Sequence, residues 1–378
     1  MGVSPLLRRV PALLAALVVG CQGLKPSVRS AMPALSSVGS PNKIFEWKGF
    51  DVRYYALNED GAGPNVILVH GLFVNADHWR LNAPALAEAG CRVFAVDLLG
   101  SGYSSKPYPL DPAAAAADGE ARRFPSGGTS AATCVVADLG TAGGGTRRGV
   151  DVEQRHPRAG SPYNFFTWAD QLVDFTTTVV SRGEGDTAAL VCNSIGCISG
   201  LVAARDRPDL FPKALLVAPN FRELHYAESP KLVQPLVAWV QARLRESGQP
   251  LFDALAKPDT VKQILKEPYA DAAAVTDELV DRLLTPLLTD GAADVVFDTL
   301  SYSAGPLPEQ LLQDEALRDT AIWACVGDED PWTPLKRIAA LEALPPVQRV
   351  DVLKGAGHCP HDENPDLVNP LILEFLDA

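Results

Sequence analysis

Short, nearly continuous apolar runs recur along the chain, at Asp51–Leu57, Asn65–Val69, Arg92–Val96, Ala188–Cys192, Ala214–Val217, Ala321–Val326 and Arg349–Leu353. Runs of Val, Leu, Ile and Ala with little polar alternation predict strands buried on both faces, as in a parallel sheet. Between them the apolar positions recur at helical spacing, for example over Trp168–Val180 and Cys197–Ala204. Strand alternating with helix predicts βαβ units and an α/β fold.

Two stretches break the alternation. Residues 108–162 are rich in Ala, Gly, Pro and Arg, poor in large apolar residues and without a usable period. They predict a disordered or loosely packed insertion within the core. Residues 221–320 lack strand signals and look helical. Leu232, Leu236, Trp239, Val240 and Leu244 fall on one helical face, predicted to pack either on the body or around a ligand. Val280, Leu283, Leu284 and Leu287 do the same after Thr276, an expected N-cap with Asp277 and Glu278 in the first turn. About 100 helical residues between strands predict a lid. The predicted plan is thus a core of residues 46–220 and 321–378, with the lid inserted as 221–320.

Charge adds an address and removes a function. The chain of 378 residues has 33 Lys+Arg against 46 Asp+Glu, a net −13. Nucleic-acid binding, which needs a basic face, is not expected. No acidic residue precedes Glu46, whereas Arg8, Arg9, Lys25, Arg29 and Lys43 lie there. Without residues 1–45 the body keeps 28 basic and 46 acidic side chains, a net −18. The apolar run Val10–Gly20, 11 residues, is too short to span a bilayer. A basic start with a short apolar run has the profile of a secretory signal. The Ser-bearing, acid-free stretch Lys25–Ser40 has that of a transit peptide. The two in series predict a targeting presequence, residues 1–45, leading to a plastid. Secretion is the alternative, and Val18-Val19-Gly20-Cys21 loosely resembles a lipidation box. The seven cysteines are scattered, with no zinc-like Cys/His spacing, and are expected to be free thiols, mostly buried.

Four segments carry chemistry. In Leu190-Val191-Cys192-Asn193-Ser194-Ile195-Gly196 a strand ends at Ser194 and a helix of small residues begins. Small residues flanking a Ser at a sharp strand-to-helix turn form the nucleophile-elbow pattern, although Cys192 stands where Gly is usual. The same residues also suit a plain turn. Ile67-Leu68-Val69-His70-Gly71-Leu72 ends an early strand, whose loop would present a backbone N–H. Leu72 and Ile195 are the expected oxyanion-hole donors. His70 precedes the nucleophile and is expected to pack the loop. In Gly327-Asp328-Glu329-Asp330-Pro331 three acids follow a late strand. Asp330 is the candidate orienting acid, with Asp328 and Glu329 expected to be solvated. In Gly355-Ala356-Gly357-His358-Cys359-Pro360-His361 small residues precede His358, the candidate base, with His361 as runner-up. The order Ser194, Asp330, His358 is that of α/β-hydrolases.

On these residues the chain resembles the α/β-hydrolase superfamily from about Lys43 onward, the insertion excepted. It is most similar to the plastid pheophytinase-like hydrolases of plants and algae. That likeness is carried by Val69-His70-Gly71 with Ala76-Asp77-His78-Trp79-Arg80, by Asp97-Leu98-Leu99-Gly100-Ser101-Gly102-Tyr103-Ser104, by Asn193-Ser194-Ile195-Gly196, by Ser303-Ala304-Gly305-Pro306-Leu307-Pro308 and by Gly357-His358-Cys359-Pro360-His361-Asp362-Glu363. Cys192, Cys197 and Phe73 depart from the pattern. The resemblance implies an α/β-hydrolase fold, a Ser194–His358–Asp330 triad and a hydrophobic carboxylic ester as substrate, with a phytyl ester of a chlorophyll derivative as one candidate. No metal or organic cofactor is required, and peripheral contact with a membrane is an expectation. An acyltransferase with the same triad and a non-catalytic binding protein are the alternatives. Epoxide hydrolases and dehalogenases share the fold but need a carboxylate where Ser194 stands.

Overall fold

The computed structural model describes residues 31–108, 134–137, 146–150, 161–221, 234–302 and 305–378. Eight strands form one sheet: β1 (Lys43–Trp47), β2 (Phe50–Leu57), β3 (Asn65–Val69), β4 (Arg92–Val96), β5 (Ala188–Asn193), β6 (Lys213–Val217), β7 (Ala321–Gly327) and β8 (Val347–Leu353). Their spatial order is β1-β2-β4-β3-β5-β6-β7-β8. The β1–β2 and β2–β4 pairs are antiparallel, and every pair from β4 to β8 is parallel.

Side chains of β3 alternate between two cores, as the pleat requires. Ile67 and Val69 join one core with Leu190, Phe165, Phe175, Ile198 and Leu201. Val66 and Leu68 join the other with Val191, Leu86, Val368 and Phe375. Helices α1 (Ala83–Glu88), α2 (Phe165–Phe175), α3 (Ile195–Asp206) and, at the C-terminal end, α9 (Pro365–Asp377) supply these partners. The sheet is covered on both faces, which is why its central strands are apolar throughout.

The seven predicted strands are all present, and β1 is additional. Its sequence, Lys43-Ile44-Phe45-Glu46-Trp47, alternates exposed and buried residues, with Phe45 and Trp47 in the core. The predicted boundary at residue 45 therefore falls inside a strand. Packing begins earlier still: the Ser40 hydroxyl donates to the Ala56 carbonyl at 2.7 Å, and the Ser37 hydroxyl to Asp77 at 2.6 Å. Most of the predicted signal, residues 1–30, lies outside the described residues. So does most of the 108–162 insertion, of which a two-stranded antiparallel ladder, Cys134–Ala137 with Thr146–Val150, is described.

The described residues between β6 and β7 form helices: α4 (Gln234–Ser247), α5 (Gln249–Leu255), α6 (Pro258–Leu265), α7 (Asp277–Leu287) and α8 (Ala292–Leu300). Thr276 caps α7, its hydroxyl accepting from the Leu279 amide at 3.2 Å. Leu279, Val280, Leu283 and Leu284 are buried beneath that helix. The α4 face departs from expectation. Leu236 and Trp239 are each 59% exposed and so do not pack on the body, whereas Val240 and Leu244 are half-buried; Leu232 lies outside the described residues. α4 instead rests on α8, which takes the inner position.

Candidate active site

Parallel register brings the C-terminal ends of β3, β5, β6 and β7 to one edge. Val69 pairs with Cys192, Asn193 with Val217, and Val217 with Cys325. In open α/β sheets ligands bind outside this edge. Ser194 sits there between β5 and α3 with φ 54° and ψ −119°, a left-handed conformation that a non-glycine residue adopts only when its surroundings impose it. The Ser194 amide donates to the Val217 carbonyl at 3.1 Å, and its carbonyl accepts from the Asn220 and Cys197 amides at 3.3 and 3.1 Å. Gly196 is required beside it, since a Cβ there would lie 2.5 Å from the His70 carbonyl oxygen. Cys192, in place of the usual glycine, is matched from the helix side. A Cβ on Gly200 would lie 2.5 Å from the Cys192 sulfur, so the missing side chain of Gly200 makes room for the thiol.

His358 Nε2 lies 2.9 Å from Ser194 Oγ, and its Nδ1 lies 2.8 Å from Asp330 Oδ2. The structure thus joins the three residues in one hydrogen-bonded line. Asp330 Oδ1 accepts from the Trp332 and Thr333 amides at 2.7 and 2.9 Å. Burial alone would raise the Asp330 pKa. The charge and hydrogen bond of His358, with the two amides, outweigh it and hold the carboxyl below its ordinary value. An ionised Asp330 accepts from Nδ1–H and leaves Nε2 as the imidazole acceptor facing Ser194. Asp328 and Glu329 are exposed, as expected for solvated turn residues.

Ile195 follows Ser194 directly, and Leu72 follows Gly71, where an added Cβ would lie 3.1 Å from the Ser194 Cβ. Ile195 opens α3, so its amide has no partner one turn back, and it sits at the positive end of the helix dipole. Both residues line a small cleft between the core and the helical segment. Its lid wall is aliphatic: Leu283, Pro286 and Leu287 of α7, and Val295 and Val296 of α8. Phe73, at φ 58°, lines the core side with Leu98 and Trp168.

His70 is buried and structural. Its Nδ1 meets the Gly71 carbonyl at 2.7 Å, and Nε2 accepts from the Leu98 amide at 3.0 Å. His361 is buried as well, with Nε2 3.2 Å from His78 Nδ1, and it is His358 that meets Ser194. Sequence patterns point neither to Thr333, whose hydroxyl lies 3.3 Å from His358 Nδ1, nor to Trp332, whose ring packs edge-on against the imidazole at 4.9 Å. Cys91, Cys192, Cys197, Cys325 and Cys359 are free and buried. Among the described residues no His/Cys/Asp/Glu group could hold a metal ion, and no helix is long and apolar enough to cross a membrane.

This sheet order, elbow and lid define a hydrolase of the α/β class, and the chain belongs to the alpha/beta hydrolase family, whose model matches residues 66–371. Across 349 residues it is 26% identical to the chloroplastic pheophytinase of Arabidopsis thaliana, matching 86% of this chain and 64% of that protein. Across 53 residues it is 53% identical to bifunctional epoxide hydrolase 2 of Sus scrofa, matching 14% of this chain and 10% of that one. The chain therefore spans less than two thirds of these relatives. Among solved structures, Cfl2 of Burkholderia cenocepacia superposes with a TM-score of 0.60 at 16% identity, covering 93% of this chain and 100% of that one. The meta-cleavage product hydrolase CumD of Pseudomonas fluorescens does so at 0.54 and 18% identity, covering 89% and 97%. These likenesses show the fold.

Proposed function

We propose that the chain is a serine hydrolase of hydrophobic carboxylic esters. The observation that carries this reading is the line Ser194 Oγ–His358–Asp330 at a strained elbow, with bonds of 2.9 and 2.8 Å. His358 Nε2 takes the Ser194 proton as Oγ attacks the ester carbonyl. The Ile195 and Leu72 amides stabilise the developing oxyanion, an effect worth several kcal/mol when donors are fixed in advance. The intermediate collapses, and the leaving alkoxide takes the proton from His358. Water, deprotonated by His358, then cleaves the acyl-enzyme to release the acid and restore Ser194. Asp330 keeps the imidazole in the tautomer this cycle needs.

The aliphatic lid wall supports a long acyl or isoprenoid group, each buried CH₂ contributing about 0.8 kcal/mol. The likeness to a chloroplastic pheophytinase adds a chlorophyll-derived phytyl ester as the substrate candidate and a plastid as the location. The epoxide-hydrolase likeness does not carry that chemistry, since a hydroxyl occupies the nucleophile position. An ester panel from acetate to palmitate, with pheophytin, tests the reading on wild type and Ser194→Ala. Ser194-dependent hydrolysis that favours long chains is expected. Turnover by Ser194→Ala at the wild-type rate would overturn it.

A further inference from the structure

Beyond the triad, one lid segment is fastened to the loop that carries His358. The Pro268 carbonyl accepts from the His358 amide at 2.7 Å. Approach is so close that a Cβ on Gly357 would collide with the Pro268 carbonyl and lie 2.7 Å from the Ala270 amide nitrogen. On one flank Glu363 reaches from the loop and accepts from the Gly357 amide at 2.7 Å, and from the Asp271 and Ala270 amides of the lid. On the other flank the Tyr269 hydroxyl enters the body.

The Tyr269 partners form a directional chain. Asp362, ion-paired with Arg80, accepts from the Tyr269 hydroxyl at 2.7 Å. The Tyr269 oxygen must then accept from His78 Nε2–H at 2.9 Å, which leaves His78 Nδ1 as an acceptor for His361 Nε2–H at 3.2 Å. One fixed carboxylate thus sets two imidazole tautomers and holds Tyr269 in a single orientation. Around it Tyr269, Val74 and Cys359 pack with Leu279, Val280 and Leu283 of α7. The lid is therefore not a flap attached only at its ends. It grips the histidine loop at three points, within five residues of His358.

We propose that Tyr269 and Glu363 are positioning residues, which hold the His358 loop against the lid segment 268–271 and so set the Ser194–His358 distance. The proposal rests on the serine-hydrolase reading. General-base transfer is sensitive to this distance, and a misplacement of about 1 Å can cost 100-fold. Neither residue touches the cavity, so substrate binding should not register their loss.

The experiment compares wild type, Tyr269→Phe and Glu363→Gln in full-length chains. It measures the rate constant for phosphonylation of Ser194 by a fluorophosphonate, KM for a short p-nitrophenyl ester, and Tm. Tyr269→Phe keeps the ring in its apolar surroundings. Glu363→Gln keeps the size but loses an acceptor, since its NH₂ cannot accept. Both variants are expected to react at least tenfold more slowly, with kcat falling in parallel and KM within twofold of wild type. Measurements at 20 °C, well below each Tm, keep global unfolding out of the readout. Wild-type phosphonylation rates in both folded variants would overturn the proposal, as would a change confined to KM. Failure of both to fold would also overturn it, by assigning these contacts to the stability of the whole body. No phosphonylation of the wild type would instead overturn the serine-hydrolase reading.

Discussion

Acidification should unfold this protein through buried histidines rather than through its carboxylates. His78 is 1% exposed, and burial, aided by Arg80 and the neighbouring histidines and opposed by Asp362, pushes its pKa down to about 4. In the unfolded chain the value is about 6.5. The native state therefore favours neutral imidazole. Its contribution is complete above pH 6.5 and is lost as pH falls from 6.5 towards 4. From pH 7 to pH 5 the unfolded chain gains about 0.7 proton at this site, most of which native His78 refuses, a loss of about 2 kcal/mol. His361, held well below its ordinary value by burial and by His78, and His70, lowered chiefly by burial, act in the same direction. The total loss should then exceed about 2 kcal/mol, a large share of the 5–15 kcal/mol typical of a folded domain. Asp77 and Asp330, whose pKa values lie below 3.8, stabilise above that value and are lost only at lower pH, so the two windows separate. Urea unfolding followed by tryptophan fluorescence at pH 7, 6 and 5 measures the loss. In His78→Gln about 2 kcal/mol of the pH dependence should vanish. An unfolding free energy that changes by less than about 0.5 kcal/mol between pH 7 and 5 would refute the reasoning.

Three further outcomes follow from the packing. Gly200→Ala should destabilise by about 1–3 kcal/mol, because its Cβ meets the Cys192 sulfur, and should cost under about 0.5 kcal/mol in a Cys192→Gly background; a double-mutant cycle in urea checks the coupling. Val296→Trp fills the lid side of the cavity and should lower kcat/KM for palmitate esters at least tenfold more than for acetate esters. Trp239→Ala, on the exposed stripe of α4, should change stability by no more than about 0.5 kcal/mol and leave the chain-length profile unaltered.

What could be read from the sequence followed the strength of local constraint. Asn65–Val69 and Arg92–Val96 are strands at their predicted bounds because both faces are buried and nothing polar interrupts them. Lys43–Trp47 escaped because only Phe45 and Trp47 turn inward, and because the acid-free stretch before it reads as an address. The Ser194, Asp330 and His358 positions were legible because a tight elbow, a turn after a strand and a small-residue loop each restrict residue type. The lid was legible as helices but not in orientation. Periodicity identifies an apolar stripe without saying what covers it, so the α4 stripe and the α7 stripe look alike in sequence while Leu236 and Trp239 of the first meet solvent and the second is buried against the body. The Tyr269–His78–His361 chain was hidden because its members are distant in sequence and meet only through tertiary packing.

The central claim is that Ser194 is a nucleophile activated by His358 and oriented by Asp330. Intact-mass spectrometry after treatment with a fluorophosphonate, followed by peptide mapping, tests it most directly. One adduct per chain is predicted, on the peptide bearing Ser194, absent in Ser194→Ala and slowed by several orders of magnitude in His358→Gln. An adduct on any other residue, or undiminished labelling in His358→Gln, would contradict it.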